Sequence, residues 1–113
     1  MGKPSLPLDV EEELAQARRS RRQGKEGRAR VCARRAAGAV VQDYLRKRGV
    51  DWQGRNVYQA MLALKEIPGL DQGARRSLHW LTLRVNPDHQ IPGEVDLIAE
   101  AENLIRILTG SNA

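Results

Sequence analysis

The stretch ARRAAGAVVQDYL, residues 33–45, constrains the fold of this chain more than any other segment. Its apolar residues recur at intervals of three and four positions, which places them on one continuous face of an α-helix. The members of this face are Ala33, Ala36, Ala37, Val40, Val41, Tyr44 and Leu45. Because most of these side chains are small and Gly38 adjoins them, another helix can approach closely. The sequence therefore predicts a long helix with at least one tightly packed neighbour.

Four further segments have apolar residues at helical spacing. They are residues 10–23, 56–67, 72–85 and 92–110. Aromatic residues make up only 4% of the chain, and no segment alternates apolar and polar residues as a strand does, which favours closely packed helices. The predicted fold is all-α, an up-and-down antiparallel bundle of four long helices plus a short one. We expect one domain over residues 9–110, between an irregular arm at 1–8 and a tail at 111–113.

Capping residues and prolines predict where these helices begin and end. Asp9 can cap the first helix through its side-chain carboxylate. The fourth helix is expected to continue to Val85 and to stop before Pro87, because proline disfavours a helical residue in front of it. Pro92 fits the first turn of the last helix, and Gly110 fits its end.

Basic residues are concentrated in the first half of the chain, whose formal net charge is +5 overall. Residues 1–55 carry 14 Lys and Arg against 7 Asp and Glu, whereas residues 56–113 carry 5 against 7. This distribution favours nucleic acid or another anionic partner. A solvated basic face that only aids solubility would have the same composition, so both interpretations stay open.

Eight arginines lie between Arg18 and Arg35. Arg28 and Arg35 project from the helix face opposite the Ala and Val side chains, where they can bind phosphates or the carboxylates of a partner. Arg18 and Arg22, on the preceding helix, complete the set of four predicted anion-binding residues. No aromatic residues are interleaved with them, so the sequence does not indicate a platform for stacking bases.

Three other residues of the same helix have different predicted roles. Arg30 and Arg34 lie in line with the edge of the apolar face and are expected to be half-buried, with their guanidinium groups paired. Cys32 lies about 140° around the helix from the centre of the apolar face, so we expect it to point away from the core. Without a nearby histidine to act as a base, Cys32 is interpreted as an incidental small residue rather than a nucleophile.

Several classes of function have no support in the sequence. The two histidines and the single cysteine do not have the spacing of a zinc site, and neither a P-loop nor a GxGxxG motif occurs, so no metal or cofactor is expected. One cysteine allows no internal disulfide. No apolar run approaches the length of a membrane span and no signal peptide is visible, which predicts a cytoplasmic protein that does not associate with membranes.

The segment RVNPDH contains a candidate catalytic pair, Arg84 and His89. In metal-independent RNA cleavage a histidine can move the proton of the 2′-hydroxyl, and an arginine can hold the charge on the phosphate. The chain has 15 arginines, however, so one at this distance from a histidine is also expected by chance. Pro87 between the two residues favours a connecting loop. The segment is therefore either an RNA-cleaving site or a link between two helices.

Residues 33–45 resemble the signature helix of the HEPN domains, the higher eukaryotes and prokaryotes nucleotide-binding superfamily. The pattern of that helix runs approximately A-Q-Q-A-x-E-x-x-L-K-x-x-L, which Ala33, Ala36, Val41 and Leu45 match in place. The segment LTLRVNPDHQIPGEVDLIAEAENLIRIL is similar to the end of such a domain. The resemblance implies an all-α bundle that pairs as a homodimer. Several HEPN members are RNA endonucleases with an Arg-x(4–6)-His motif, and some are toxins held by a nucleotidyltransferase-like antitoxin.

Two hypotheses about function follow. The first is a non-catalytic module that uses its basic arginine face to bind a nucleotide, nucleic acid or an acidic partner. The alternative is a metal-independent RNA endonuclease of the toxin type, in which Arg84 holds the phosphate and His89 transfers the proton.

Overall fold

The computed structural model describes residues 8–52, 56–83 and 95–110. These residues form five helices and no strand, so the prediction of an all-α fold is confirmed. The helices are α1 (Leu8–Arg22), α2 (Glu26–Lys47), α3 (Val57–Lys65), α4 (Gln72–Leu81) and α5 (Leu97–Thr109). None of the helices within these ranges is long and apolar enough to cross a lipid bilayer.

Helix α2 is the central element, as the apolar face of residues 33–45 predicts. It packs against α1, α3 and α5, and α4 packs mainly against α5. The alanines of α2 at positions 33, 36 and 37 are fully buried. Buried residues of all five helices meet in one apolar cluster, and a smaller cluster joins α1, α2 and α5. Small side chains on α2 therefore form the surface on which α1, α3 and α5 pack.

The predicted close approach occurs at Gly38, where α2 meets α3. A Cβ atom placed on Gly38 would lie 2.2 Å from the Cβ atom of Val57, well inside van der Waals contact. Only a glycine can occupy this position without moving α3. The prediction that small residues of α2 admit a tightly packed neighbour is thus confirmed, and the neighbour is α3.

Helices α1 and α2 form an antiparallel hairpin. Beside the turn that joins them Arg21 contacts Glu26, and farther along the pair Glu13 faces Arg35. The turn is closed by a hydrogen bond of 2.8 Å from the amide of Lys25 to the carbonyl oxygen of Ser20. It also uses a left-handed backbone conformation at Gly24, whose φ is +78°.

The finer prediction of four long helices and a short one is not confirmed, because α3 and α4 are both short, with 9 and 10 residues. Helix α4 ends at Leu81, so the predicted continuation to Val85 is wrong. The Thr82 amide and hydroxyl both donate to the carbonyl oxygen of Leu78, at 2.8 and 2.6 Å, whereas the Leu83 amide bonds to Trp80, three positions back instead of four.

The predicted start of the last helix also needs correction. Helix α5 begins at Leu97, and Asp96 is its N-cap, accepting a hydrogen bond of 3.1 Å from the amide of Ala99. Aspartate competes well for the cap position, so the helix starts later than the proline rule predicts. At the other end of the chain Asp9 lies within the first turn of α1 rather than before it. The predicted arm, apart from Leu8, and the tail at 111–113 lie outside the described residues.

Helix α2 differs from α3, α4 and α5 in how it begins. Those three helices start at Asn56, Asp71 and Asp96, and each of these side chains accepts a hydrogen bond from a backbone amide of the first turn. Helix α2 starts after Lys25, whose side chain makes no such bond. The positive end of the longest helix is therefore preceded by a cation instead of a hydrogen-bond acceptor.

Candidate functional site

The four arginines predicted to bind anions fall into two groups. Arg18 forms an ion pair with Glu102 of α5, and a guanidinium nitrogen of Arg35 lies 3.9 Å from a carboxylate oxygen of Glu13. Both arginines are largely exposed, so these pairs are weak, but a carboxylate offsets each charge. Arg18 and Arg35 are consequently the less available half of the predicted set.

Arg22 and Arg28 are exposed, and neither has a hydrogen bond or an ion pair to any described residue. Two cations that the sequence analysis did not select lie beside them. Lys25 occupies the turn, and Arg19 is exposed and donates a hydrogen bond of 2.8 Å to the neutral side chain of Gln16. We call these four residues, Arg19, Arg22, Lys25 and Arg28, the hairpin tip.

The sequence does contain a signal for the two members of the tip that were missed. Between residues 18 and 28 the only carboxylate is Glu26, against six Lys and Arg. A lysine also stands where an N-cap acceptor is expected. Both signals come from residues 18–28, which lie at the end of one helix and the start of the next. Helical periodicity describes the residues of a single helix, so it does not report on this segment.

Glu26 does not neutralise the tip, because it is engaged elsewhere. Arg21 donates two hydrogen bonds to Glu26, of 2.8 and 3.0 Å, and a third of 2.8 Å to Asp96 at the start of α5. These bonds raise the pKa of Arg21, and the hydrogen bond from Arg21 lowers the pKa of Glu26. Burial acts to raise the pKa of Asp96, but the bond from Arg21 and the capping bond from Ala99 outweigh it and lower that pKa. The three residues tie α1, α2 and α5 together.

A shallow hollow of about 530 Å³ runs along the outside of the hairpin beside the tip. It is lined by Glu12, Glu13, Gln16, Arg19, Gly27, Arg28, Val31, Cys32 and Arg35. Two carboxylates and three guanidinium groups thus line the hollow, and two of these arginines, Arg19 and Arg28, also belong to the tip. The lining therefore has a net charge of +1, with two carboxylates close to its cations, whereas the four residues of the tip have a net charge of +4.

The expected orientation of Cys32 is wrong. Cys32 is only 3% exposed, because α1 covers the flank of α2 beyond the arc marked by the Ala and Val side chains. Burial raises the pKa of the Cys32 thiol, and the neighbouring carboxylate of Glu13 raises it further, whereas Arg35 and Arg28 only partly oppose these effects. A protonated, covered thiol is a poor nucleophile, so the interpretation that Cys32 is not a nucleophile is retained, although the residue packs in the core.

Arg30 and Arg34 are half-buried, as predicted. The Nε atom of Arg34 donates a hydrogen bond of 3.2 Å to the carbonyl oxygen of Leu81, the last residue of α4. Burial lowers the pKa of Arg34, and the like charge of Arg30 lowers it further. The Nε atom of Arg30 lies 3.5 Å from a carboxylate oxygen of Glu26 without forming a hydrogen bond.

The predicted catalytic pair, Arg84 and His89, lies outside the described residues. The structure describes the residues on either side of this pair, up to Leu83 after α4 and again from Val95 before α5.

Among the residues in the described ranges, no group of three or more His, Cys, Asp or Glu side chains could hold a metal ion.

No family model matches the sequence, and no curated protein or solved structure is significantly similar to the chain. The function is therefore inferred from the charges, burial and contacts of the described residues.

Proposed function

We propose that this chain is a non-catalytic helical module that binds the phosphate backbone of nucleic acids through its hairpin tip. The observation that carries the proposal is the absence, within the described residues, of any carboxylate partner for Arg19, Arg22, Lys25 or Arg28. Six other cations of α1 and α2 do have a carboxylate within 4 Å. These six are Arg18, Arg21, Arg30, Arg35, Arg46 and Lys47. Unpaired cations grouped at one end of a hairpin form a ready contact for phosphates.

The position of Lys25 and Arg28 supports a functional rather than a structural role. They stand at the N-cap and in the first turn of α2, where the helix dipole is positive and cations are unfavourable by about 0.3–1 kcal/mol each. An uncapped first turn also leaves backbone N–H groups directed outward. Both features destabilise the isolated helix and favour an anion at its end. A local conflict of this kind is expected where a surface serves binding.

The chemistry of the tip indicates how the nucleic acid is contacted. Residues 18–28 include no aromatic side chain, so bases have no ring on which to stack. Arginine and lysine alone hold phosphates, and phosphate contacts fix position without reading the base sequence. We therefore infer binding that is independent of sequence. The resemblance of residues 33–45 to the HEPN signature helix suggests the same class of ligand.

The proposal is tested by measuring the affinity for fluorescent duplexes of about 20 base pairs and two unrelated sequences. We expect equal affinity for both duplexes. Arg22→Gln/Arg28→Gln should weaken binding by about 10-fold or more, since each charge-assisted contact contributes about 1 kcal/mol.

The matched control is Arg46→Gln/Lys47→Gln, which removes the same charge about 27 Å farther along α2, beyond the screening length of salt. Both control residues already pair with Asp43. The control should change affinity by less than about 2-fold. Equal losses in the two variants would show that net charge alone attracts the nucleic acid, and would refute the assignment to the tip.

The ribonuclease hypothesis remains the alternative, with Arg84 and His89 as its residues and with the homodimer and the nucleotidyltransferase-like antitoxin as its predicted partners. It is tested separately, by incubating pure protein with structured and single-stranded RNA. The binding proposal expects no cleavage. If cleavage occurs and His89→Ala abolishes it, the alternative is correct; cleavage unchanged by His89→Ala would exclude His89 as the general acid and base.

A further inference from the structure

The hollow on the outside of the α1–α2 hairpin has its chemical groups in a definite order. Arg19 and Arg28 line the end nearest the turn. Glu13 and Arg35, whose charged groups lie 3.9 Å apart, line the opposite end. Because Arg28 and Arg35 are seven positions apart on α2, the two ends are separated by about 10 Å along the helix. One end therefore suits an anion, and the other offers hydrogen-bond donors and acceptors together.

The floor between the two ends is apolar and open. Val31 is 44% exposed, the highest value for a large hydrophobic residue in the described ranges. A Cβ atom placed on Gly27, one turn away, would meet no other group within 4 Å. The volume of about 530 Å³ falls within the range of small-molecule sites, and a flat nucleobase packs well on an apolar side chain. The floor can therefore take the face of a base.

The carboxylate and the guanidinium group at the far end keep free hydrogen-bonding positions. Their separation of 3.9 Å is longer than a hydrogen bond, so the two groups do not saturate each other. The Glu13 carboxylate has about four acceptor positions, and the neighbouring Cys32 thiol competes for only one of them. Arg35 is exposed and has several N–H donors in one plane. A ligand can therefore accept hydrogen bonds from Arg35 while it donates to Glu13.

We propose that the hollow binds an unpaired guanine nucleotide. The phosphate contacts Arg19 and Arg28, and the base lies on Val31. Guanine presents two adjacent donors, its N1–H and its 2-amino group, next to the acceptor O6. The carboxylate of Glu13 accepts from the two donors, and the guanidinium group of Arg35 donates to O6. Each end of the hollow thus has the groups that the corresponding part of the nucleotide requires.

The other bases match Glu13 and Arg35 less well. On their Watson–Crick edges adenine and cytosine each present an amino group beside a ring nitrogen acceptor, which a carboxylate repels. Uracil presents a single donor between two acceptors. Guanine is therefore the base whose edge can give one carboxylate two hydrogen bonds.

The proposed site rests on the proposed function, because Arg19 and Arg28 of the hairpin tip hold the phosphate in both. It adds a preference that a duplex does not reveal, since the paired bases of a duplex direct their Watson–Crick edges toward each other. Binding to duplexes therefore stays independent of sequence, whereas an unpaired guanosine gains contacts. The ligand is a free guanine nucleotide or a guanosine within a single strand, since both present the same groups.

The test follows the methyl resonances of Val31 in the full chain by NMR during titration with the 5′-monophosphates of guanosine, inosine and uridine. We expect the guanosine nucleotide to bind about 10-fold more tightly than the inosine nucleotide, which lacks only the 2-amino group. The uridine nucleotide should bind at least as weakly as the inosine nucleotide. A purine on Val31 should also move its methyl resonances upfield through the ring current.

Glu13→Gln separates base recognition from electrostatic attraction, because the two effects have opposite signs. Removing a negative charge strengthens the attraction of any nucleotide, whereas losing the carboxylate removes the contacts to guanine. We expect Glu13→Gln to weaken binding of the guanosine nucleotide by about 10-fold and not to weaken binding of the uridine nucleotide. The matched control is Glu11→Gln, which removes an exposed carboxylate of α1 outside the lining of the hollow and should weaken neither.

A single-stranded trinucleotide with a central guanosine identifies the source of the ligand. Tighter binding of the trinucleotide than of guanosine 5′-monophosphate assigns the hollow to a single strand, and equal or weaker binding assigns it to the free nucleotide.

Equal affinities for the guanosine and uridine nucleotides would overturn the proposed site, as would a guanosine affinity that Glu13→Gln leaves unchanged or raises. In either case a duplex affinity that still falls in Arg22→Gln/Arg28→Gln would show that the hairpin tip holds phosphates without recognising a base. A duplex affinity that this double variant leaves unchanged would instead refute the function proposed for the tip, and with it the phosphate contact at Arg28.

Discussion

The two ends of α2 carry similar numbers of cations in opposite electrostatic settings. At the carboxyl end Arg46 and Lys47 complement the negative end of the helix dipole and pair with Asp43 at 3.7 and 3.0 Å. The guanidinium carbon of Arg48 lies 4.4 Å from the centre of the Tyr44 ring, so this charge also has a partner. At the amino end Lys25 and Arg28 oppose the dipole and have no carboxylate partner in the described part of the chain.

This difference teaches that the number of cations in a segment does not identify a binding surface. Charges at the carboxyl end of α2 stabilise the helix, and their positions need no other explanation. Charges at the amino end reduce helix stability, so a ligand is the better explanation for their presence. Three expected results test or refine this contrast, beginning with the largest.

The largest effect is expected at Gly38, between the two ends of α2, where this helix packs against α3. Gly38→Ala should destabilise the protein by about 1–3 kcal/mol, because the new methyl group meets Val57 and α3 must move. Gly27→Ala, near the amino end, has no atom within 4 Å of the added Cβ and should stabilise the protein by up to about 1 kcal/mol through helix propensity. Urea unfolding measures both. Stabilisation by Gly38→Ala would contradict the close contact between α2 and α3.

The second-largest effect is expected at the amino end of α2, where one substitution should raise stability and weaken binding. Lys25→Asp supplies the missing N-cap acceptor and should stabilise α2 by about 1 kcal/mol, while it weakens nucleic-acid binding. Lys47→Asp, at the carboxyl end, should lower stability by a few tenths of a kcal/mol and leave binding unchanged. Thermal unfolding and duplex affinity are measured on the same samples. If Lys25→Asp lowered stability, the contrast between the two ends would be lost.

The smallest effect concerns the ion pairs that keep Glu26 away from the tip. The pKa values of Glu26 and Asp96 are lower in the folded chain than their ordinary values of 4.5 and 3.8. Their contribution to stability is therefore complete above about pH 4.5 and is lost as the pH falls through the lowered values. Because all three side chains are more than a third exposed, we expect a loss below about 1 kcal/mol.

Arg21→Gln is the matched variant for this pH dependence. Its destabilisation relative to the unmodified chain should be present at pH 7 and should shrink at pH 3, as measured by urea unfolding at both values. A difference that is equal at the two pH values would show that Arg21 contributes through packing of its apolar stem rather than through its charge.

Much of the fold could be predicted because it depends on local periodicity. The Ala and Val face of α2 and the small residue at Gly38 are visible in one short segment. The helix ends could be predicted less well. Pro87 and Pro92 indicate where one helix ends and the next begins, but the helices end and begin at the caps Thr82 and Asp96 instead. The burial of Cys32 depends on α1, a different helix, and no pattern within α2 reports it.

The candidate site could be predicted only in part, for a related reason. Arg22 and Arg28 were selected on charge and remain free of carboxylates in the described residues. Arg18 was selected on the same ground, yet its partner Glu102 lies 84 positions away. Which cations are paired is decided by contacts between distant segments, whereas composition reports only how many there are. Lys25 was missed because it lies between helices, where periodicity carries no information.

The most direct measurement is the salt dependence of binding to a duplex DNA probe. Four phosphate contacts predict that the logarithm of the binding constant falls with a slope of about −3.6 against the logarithm of the salt concentration. Arg22→Gln/Arg28→Gln should reduce the magnitude of the slope by about 2, and Arg46→Gln/Lys47→Gln should leave it unchanged. A slope that both variants reduce equally, or that neither reduces, would contradict the claim that the hairpin tip holds the phosphates.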